Sequence, residues 1–294
     1  MELEYFKDSL VNQSPKTVAV YVKKYQHARG AIGRDLRTLT VQEVLDYVQN
    51  YTTAKGKEAT NNTKAGILNI IIMVKKLYID TETETQFDID YSLLSAFRET
   101  LKSDIKHDIS VRNQNTEVHS IEMLENYTEG LYVSGLYKDF VINYLLINYF
   151  VRNEDLNLTI TNSDDHDFTQ GNWLVFDTPY EVVYIRNNYK TVRTYGQKRN
   201  VIVDPKFLNA IRNLISKKIT TLTSKQHSYE IKKSTLNQVG ESNYLKSFIH
   251  IAMQNNDVKL LHKISEYRGT DIDTLIVNYN IKLNLFRDDS SESD

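Results

Sequence analysis

Leu261-His262-Lys263-Ile264-Ser265-Glu266-Tyr267-Arg268-Gly269-Thr270, running on through Asp271 to Val277-Asn278-Tyr279, is the stretch that decides the reading of this chain. It reads as a helix, a break at Gly269, a second short helix and a tyrosine at its end. Glycine just past the last periodic residue is a common helix stop, because it takes up left-handed backbone without a Cβ penalty. Tyr279 lies nine residues after Thr270.

Two helices lead into this stretch, at about Ser242–Gln254 and Val258–Tyr267. The first carries Ser242-Asn243-Tyr244-Leu245-Lys246-Ser247-Phe248, and His250 and His262 lie nearby. The preceding segment, Thr220 to Gln238, is polar and reads as loop or weak helix. Further back, Trp173-Leu174-Val175-Phe176, Val182-Val183-Tyr184-Ile185 and Asn200-Val201-Ile202-Val203 are short apolar, β-branched runs separated by turn residues. They predict a small three-stranded antiparallel sheet. Lys190-Thr191 falls between the last two runs, and Lys198 is a competing lysine in the same hairpin. Pro205 opens a helix that runs from Lys206 to Lys218. Before the sheet, Tyr144-Leu145-Leu146-Ile147-Asn148-Tyr149-Phe150-Val151-Arg152-Asn153-Glu154-Asp155-Leu156-Asn157-Leu158 is an apolar helix end, an arginine, an acidic pair and leucines. Taken by itself, Arg152 could equally be an exposed helix-end arginine near the last carbonyls.

The first hundred residues read as helical. Ser14 is an N-cap with Pro15 at the first helical position, and Val18, Tyr21, Val22 and Tyr25 follow at helical spacing. Thr40 and Glu43 form a capping-box pair ahead of Val44, Leu45 and Val48. A third helix spans Lys64 to about Ile79, with Ile67, Ile70, Ile71 and Val74 on one face, and a short fourth spans Ser92–Lys102. Asp104 to Glu117 is polar, without helical periodicity, and reads as a linker. Beyond it, helices are expected at Ser120–Leu131 and Leu136–Phe150. The fold class expected is mainly α with a small antiparallel β-sheet, α+β. Its parts are a helical domain over 1–103, a linker over 104–118, a second domain over 119–285 and an acidic, disordered tail over 286–294.

Composition narrows the function classes. The 294 residues are 40% hydrophobic and 25% charged, ordinary for a globular protein, and no run of about 18 apolar residues predicts a membrane span. The charged start predicts no secretory signal, and an intracellular setting is expected. The chain has no cysteine, which excludes disulfides, thiolate metal sites and cysteine nucleophiles. No metal or other cofactor is expected, since neither a Gly-rich phosphate loop nor clustered His/Asp/Glu spacing occurs. The net charge is −2, but bases dominate from Arg186 to Lys218 while acids dominate from Glu122 to Glu181. A local basic segment can contact phosphates on a near-neutral chain.

In order and spacing, these segments resemble the active-site motifs of the tyrosine recombinase, or phage integrase, family. Arg152 with Glu154-Asp155-Leu156 resembles "TG-x-R-x-x-E-L-x-x-L", Lys190-Thr191 the hairpin lysine, and Gly269, Thr270 and Tyr279 "LGH…Y". Ser14-Pro15-Lys16-Thr17 to Tyr21 is similar to the opening of the family's core-binding domain. Three positions depart from the pattern: Asn243 stands for a His, Lys246 for the second Arg and Thr270 for the second His.

The resemblance implies strand cleavage and rejoining of double-stranded DNA, as in DNA recombination and integration, in a virus or mobile element. Tyr279 would be the nucleophile, Arg152 the phosphate clamp and Lys190 the proton donor, with Lys246, Thr270 and Asn243 completing the site. It implies further phosphate contacts from Lys16, Lys23, Lys24, Lys64, Arg193 and Lys198, with the two domains closing on the duplex as a clamp. It also implies homo-oligomers on DNA, for which Ile281 to Phe286 could pass to a neighbour. Lys246 keeps the charge but not the bidentate fork, and Thr270 and Asn243 cannot shuttle protons near neutral pH. A recombinase-derived protein that binds or packages DNA without cutting it is therefore the alternative. A helical interaction or virion-structural protein without a DNA role is a third reading.

Overall fold

The computed structural model describes residues 3–53, 55–77, 91–114, 116–162, 166–223 and 227–279. The tail over 286–294 and the segment Ile281 to Phe286 lie outside them. The chain divides into two compact units, Met1–Ile109 and Ser110–Asp294. It is mainly helical with one small sheet, as the sequence predicts. Among the described residues, no helix is long and apolar enough to cross a membrane.

The first unit holds α1 (Leu3–Asp8), α2 (Pro15–Ile32), α3 (Val41–Gln49), α4 (Asn61–Lys76) and the start of α5 (Tyr91–Gln114). Local chemistry fixes the starts of these helices. Ser14 Oγ accepts from Thr17 N, Thr40 and Glu43 form a complete capping box, and Thr60 caps α4 through Thr63 N. Apolar faces then close the core: Phe6 stacks on Tyr25 at 4.7 Å, and Val44, Val48, Ile67, Ile70, Ile71 and Val74 are buried between them. Each such side chain contributes about 1.5–3 kcal/mol when fully buried.

The expected short helix Ser92–Lys102 is instead α5, which runs on to Gln114. Most of the segment that reads as a linker is therefore helical. Leu94, Phe97, Leu101 and Ile105 form a sparse stripe against the first core, and Arg98, Glu99, Lys102 and Lys106 among and after them are good helix formers. The boundary between the two units falls inside this helix.

The second unit continues with α6 (Ile121–Val133) and α7 (Tyr137–Tyr149), then the strands β1 (Thr159–Thr161), β2 (Asn172–Thr178) and β3 (Glu181–Arg186). A one-turn helix, α8 (Val192–Tyr195), precedes β4 (Lys198–Ile202). The helices α9 (Pro205–Ser216), α10 (His227–Ser234), α11 (Glu241–Gln254), α12 (Val258–Arg268) and α13 (Ile272–Tyr279) follow.

The sheet has four strands in the order β1-β2-β3-β4, where the sequence predicts three. β1 pairs parallel with β2 and the other pairs are antiparallel, so the sheet is mixed rather than antiparallel. At three residues, β1 is too short to show a periodic signal, and its pairing depends on a distant partner. One sheet face buries Leu174, Val182, Tyr184 and Ile202 against α7 and α9, and Phe248, Ile249 and Ile264 extend this core into α11 and α12. Asn143 is buried on α7 but satisfied, donating to Ser234 O and accepting from Tyr244 Oη at 2.7 Å.

Candidate functional site

A cleft of about 990 Å³ opens in the second unit. All six side chains that the sequence places in a catalytic site line it: Asn243, Lys246, Arg152, Lys190, Thr270 and Tyr279. They come from four separate regions of the chain, up to 127 residues apart (279 − 152).

Arg152 is set by the way α7 ends. Phe150 adopts left-handed backbone (φ 49°), the conformation that favours glycine, and its ring is buried against Phe248 at 5.1 Å. The chain turns there, and Arg152 caps a 3-10 turn over Asn153–Leu156 in which its own N–H donates to Asp155 Oδ2 at 3.0 Å. The guanidinium then reaches across the cleft floor. Its Nη1 donates to Arg268 O at 2.8 Å and its Nη2 to Thr270 Oγ1 at 2.7 Å. Burial, and next the positive charge of Arg268, lower its hold on its proton, while Asp155, Tyr279 and Glu241 oppose them.

Tyr279 ends α13, which Asp271 starts by accepting from Thr274 N at 2.7 Å. The phenol is half-buried and lines the cleft. Its Oη lies 3.5 Å from Arg268 Nη2, and the Arg268 guanidinium sits 5.5 Å from the ring centroid. Arg268 itself is only 3% exposed. It donates to Phe150 O at 2.9 Å and Val151 O at 3.3 Å, and pairs with Glu241 Oε1 at 2.5 Å. Burial disfavours its charge, but Glu241 and Tyr279 outweigh that and hold it protonated.

Thr270 follows Gly269, whose φ of 58° closes α12. A Cβ on Gly269 would stand 2.7 Å from Thr191 Oγ1 and 3.1 Å from Tyr195 Cδ2, so the break is pressed against the β3–β4 connection. The two lysines of that connection differ. Lys190 is exposed and lines the cleft. Lys198 is not among the lining residues; it donates to the carbonyls of Glu266 and Tyr267 at the C-terminus of α12, with the rings of Tyr189 and Tyr195 about it. Burial, then repulsion from Arg186, push the Lys198 amine down to about 8.

Lys246 is buried on α11 and donates to Thr116 Oγ1 at 2.9 Å; burial and then Arg112 lower its pKa. Asn243 lies one turn earlier on α11, in the same cleft wall. Neither His250 nor His262 lines the cleft.

The remaining cations expected on phosphates are dispersed. Lys16 and Lys23 are exposed on α2, and Arg193 is exposed on α8. Lys24 is half-buried across Gly66, and burial lowers its pKa. Lys64 departs from the expectation: it is 7% exposed and its amine donates to Glu58 at 2.9 Å, because it lies on the inner side of α4.

Sequence reasoning misses Arg268, Glu241 and Arg112. The first two act through tertiary contacts that leave no local pattern. Arg112, which also lines the cleft, sits in the polar stretch that reads as a linker. Chemically, the lining offers four cations (Arg112, Arg152, Lys190 and Lys246) and one carboxylate (Glu117) around a phenol. That arrangement suits an anion with several oxygens.

No protein-family model matches the sequence, and no curated protein does. Among solved structures, the chain is similar to one described as the crystal structure of XerA recombinase. The identity is 12%, over 95% of this chain and 92% of that chain, with a TM-score of 0.35.

Proposed function

We propose that the protein binds double-stranded DNA and breaks and rejoins its strands through a 3′-phosphotyrosine on Tyr279. The observation that carries this reading is the meeting of Arg152, Lys190 and Tyr279 in one cationic cleft. It also weighs against a purely structural protein, which has no need for a phenol among four cations.

In the proposed reaction Tyr279 Oη bonds to phosphorus in line, the P–O5′ bond breaks, and the phenol proton passes to water. The departing 5′-oxygen takes its proton from a lysine, either Lys190 at the cleft surface or Lys198. Negative charge grows on the non-bridging oxygens. Arg152 and Lys246 are fixed cations for them, and preorganised donors of this kind contribute about 3–4 kcal/mol each. The covalent link conserves the bond energy, so rejoining needs no nucleotide. Assembly as a homo-oligomer on DNA belongs to the same proposal.

The second reading is a DNA-binding protein that does not cut. Its support is that each terminal nitrogen of Arg152 already donates to a protein oxygen, and that Lys246 is bonded to Thr116. A nicked suicide substrate separates the two. Covalent protein–DNA adduct is expected with the wild type and none with Tyr279→Phe; DNA retention without adduct in either protein would establish the binding-only reading.

A further inference from the structure

Arg268 lies beside the proposed nucleophile. It is the last residue of α12, it is almost fully buried, and it does not line the cleft. Four contacts converge on it. Its Nη1 holds the carbonyls of Phe150 and Val151, the two residues before Arg152, and its Nη2 holds Glu241 of α11 and approaches the Tyr279 oxygen on α13. One guanidinium therefore ties the end of α13 to the turn that carries Arg152.

We propose that Arg268 is the positioning residue of the nucleophile: it fixes Tyr279 against Arg152 and holds positive charge on the phenol oxygen as the proton leaves, with Glu241 competing for the same nitrogen. This rests on the reading of Tyr279 as the attacking group.

The argument is one of access. Arg152, Lys246, Arg112 and Lys190 face the cleft, and a bound phosphate would occupy them. Glu117 faces it as the lining carboxylate. Arg268 is almost fully buried and is not among the cleft's lining residues, so its contacts are with the protein and the phenol and not with a ligand in the cleft. The lysine at position 246 supplies charge without a fork. Arg268 supplies a second guanidinium from another helix, and its fork is used to join elements instead of gripping substrate. Glu241 at 2.5 Å and Tyr279 at 3.5 Å share Nη2, so the carboxylate holds the larger part of that charge in the free protein. Neutralising Glu241 should release charge to the phenol, whereas a mere strut would be weakened by the same change.

Opposite signs therefore identify the role. The first measurement needs no DNA: tetranitromethane nitrates tyrosines through their phenolates, and the Tyr279 peptide is followed by mass spectrometry in the full chain. Relative to wild type, Tyr279 nitration is expected to slow about tenfold in Arg268→Met and to quicken severalfold in Glu241→Gln. The exposed Tyr180 and Tyr229 serve as unchanged controls. The second is single-turnover cleavage of the nicked substrate. Arg268→Met is expected to lower the maximal rate about 100-fold while the half-saturating DNA concentration stays within about twofold. Arg268→Lys should recover part of that rate.

Slower nitration and cleavage in both Arg268→Met and Glu241→Gln would overturn the proposal and leave a structural strut. If Arg268→Met does not fold, Arg268→Lys and Glu241→Gln carry the comparison. Absence of adduct in the wild type would sink the enzymatic reading and with it the nucleophile that Arg268 would position, whereas the nitration series reports separately on whether Arg268 and Glu241 act on the Tyr279 phenol.

Discussion

Asp155 and Arg186 put opposite charges 3.6 Å apart, both with no exposed surface. Burial pushes the Asp155 carboxyl up, and the Arg152 N–H and the Arg186 guanidinium work against that. The Arg186 charge also reaches Lys198, whose amine sits near pH 8 because of burial and this repulsion. The sign of the resulting pH effect follows. An unfolded chain keeps the lysine proton to roughly pH 10.4, so between about 8 and 10.4 the unfolded state binds more protons. Stability contributed through Lys198 is then gained as pH rises and is absent below about 8. The unfolding free energy of wild type should accordingly rise relative to Lys198→Met from pH 7.5 to 10 in urea titrations. A difference that is flat or falls over that range would remove the premise that the amine is held against its charge.

Among the elements, the α12–Gly269–α13 joint controls the site. Gly269→Ala should lower stability by about 1–2 kcal/mol from left-handed backbone alone. The contact with Thr191 adds to it, because the hydroxyl stands 2.7 Å from the new carbon. A fall in the urea midpoint together with lost adduct formation is the expected outcome; an unchanged midpoint would mean that the β3–β4 connection yields freely.

This joint was legible because its signals are local: periodic apolar residues, a glycine and a tyrosine at fixed spacing. The starts of α2 and α3 were legible for the same reason, since Ser14 and Thr40 cap through bonds three residues away. β1 was not, because a three-residue strand depends on its partner. The length of α5 was hidden because its second half is rich in Asp, His, Ser and Asn, weak helix formers that leave only a thin apolar stripe. Arg268 stood inside the most informative stretch and still gave no sign, because its contacts at Phe150, Glu241 and Tyr279 are meetings in space.

On the scale of the whole molecule, the net charge of −2 conceals a cleft whose lining carries four cations and one carboxylate. Electrostatic binding to a polyanion depends on this local arrangement and on counterion release. If about six phosphates are neutralised, DNA affinity should fall roughly 10³-fold between about 50 and 200 mM salt. Fluorescence anisotropy with a labelled duplex measures that slope, and an affinity indifferent to salt would reject a phosphate-contacting cleft. The charge bias was visible in the sequence from Arg186 onward. Its concentration in one place was not, because Arg112, Arg152 and Lys246 come from segments with ordinary composition.

The outer nitrogens of Arg152 each donate one bond, to a neutral carbonyl and a neutral hydroxyl. Each of these nitrogens carries a second N–H, so an arriving ligand can bond beside the resident partner or replace it. A dianionic or monoanionic oxygen makes a stronger bond to a guanidinium than either neutral incumbent, whereas water or an amide gains nothing by the exchange. The resting contacts thus hold the guanidinium in place while still favouring charged visitors over neutral ones.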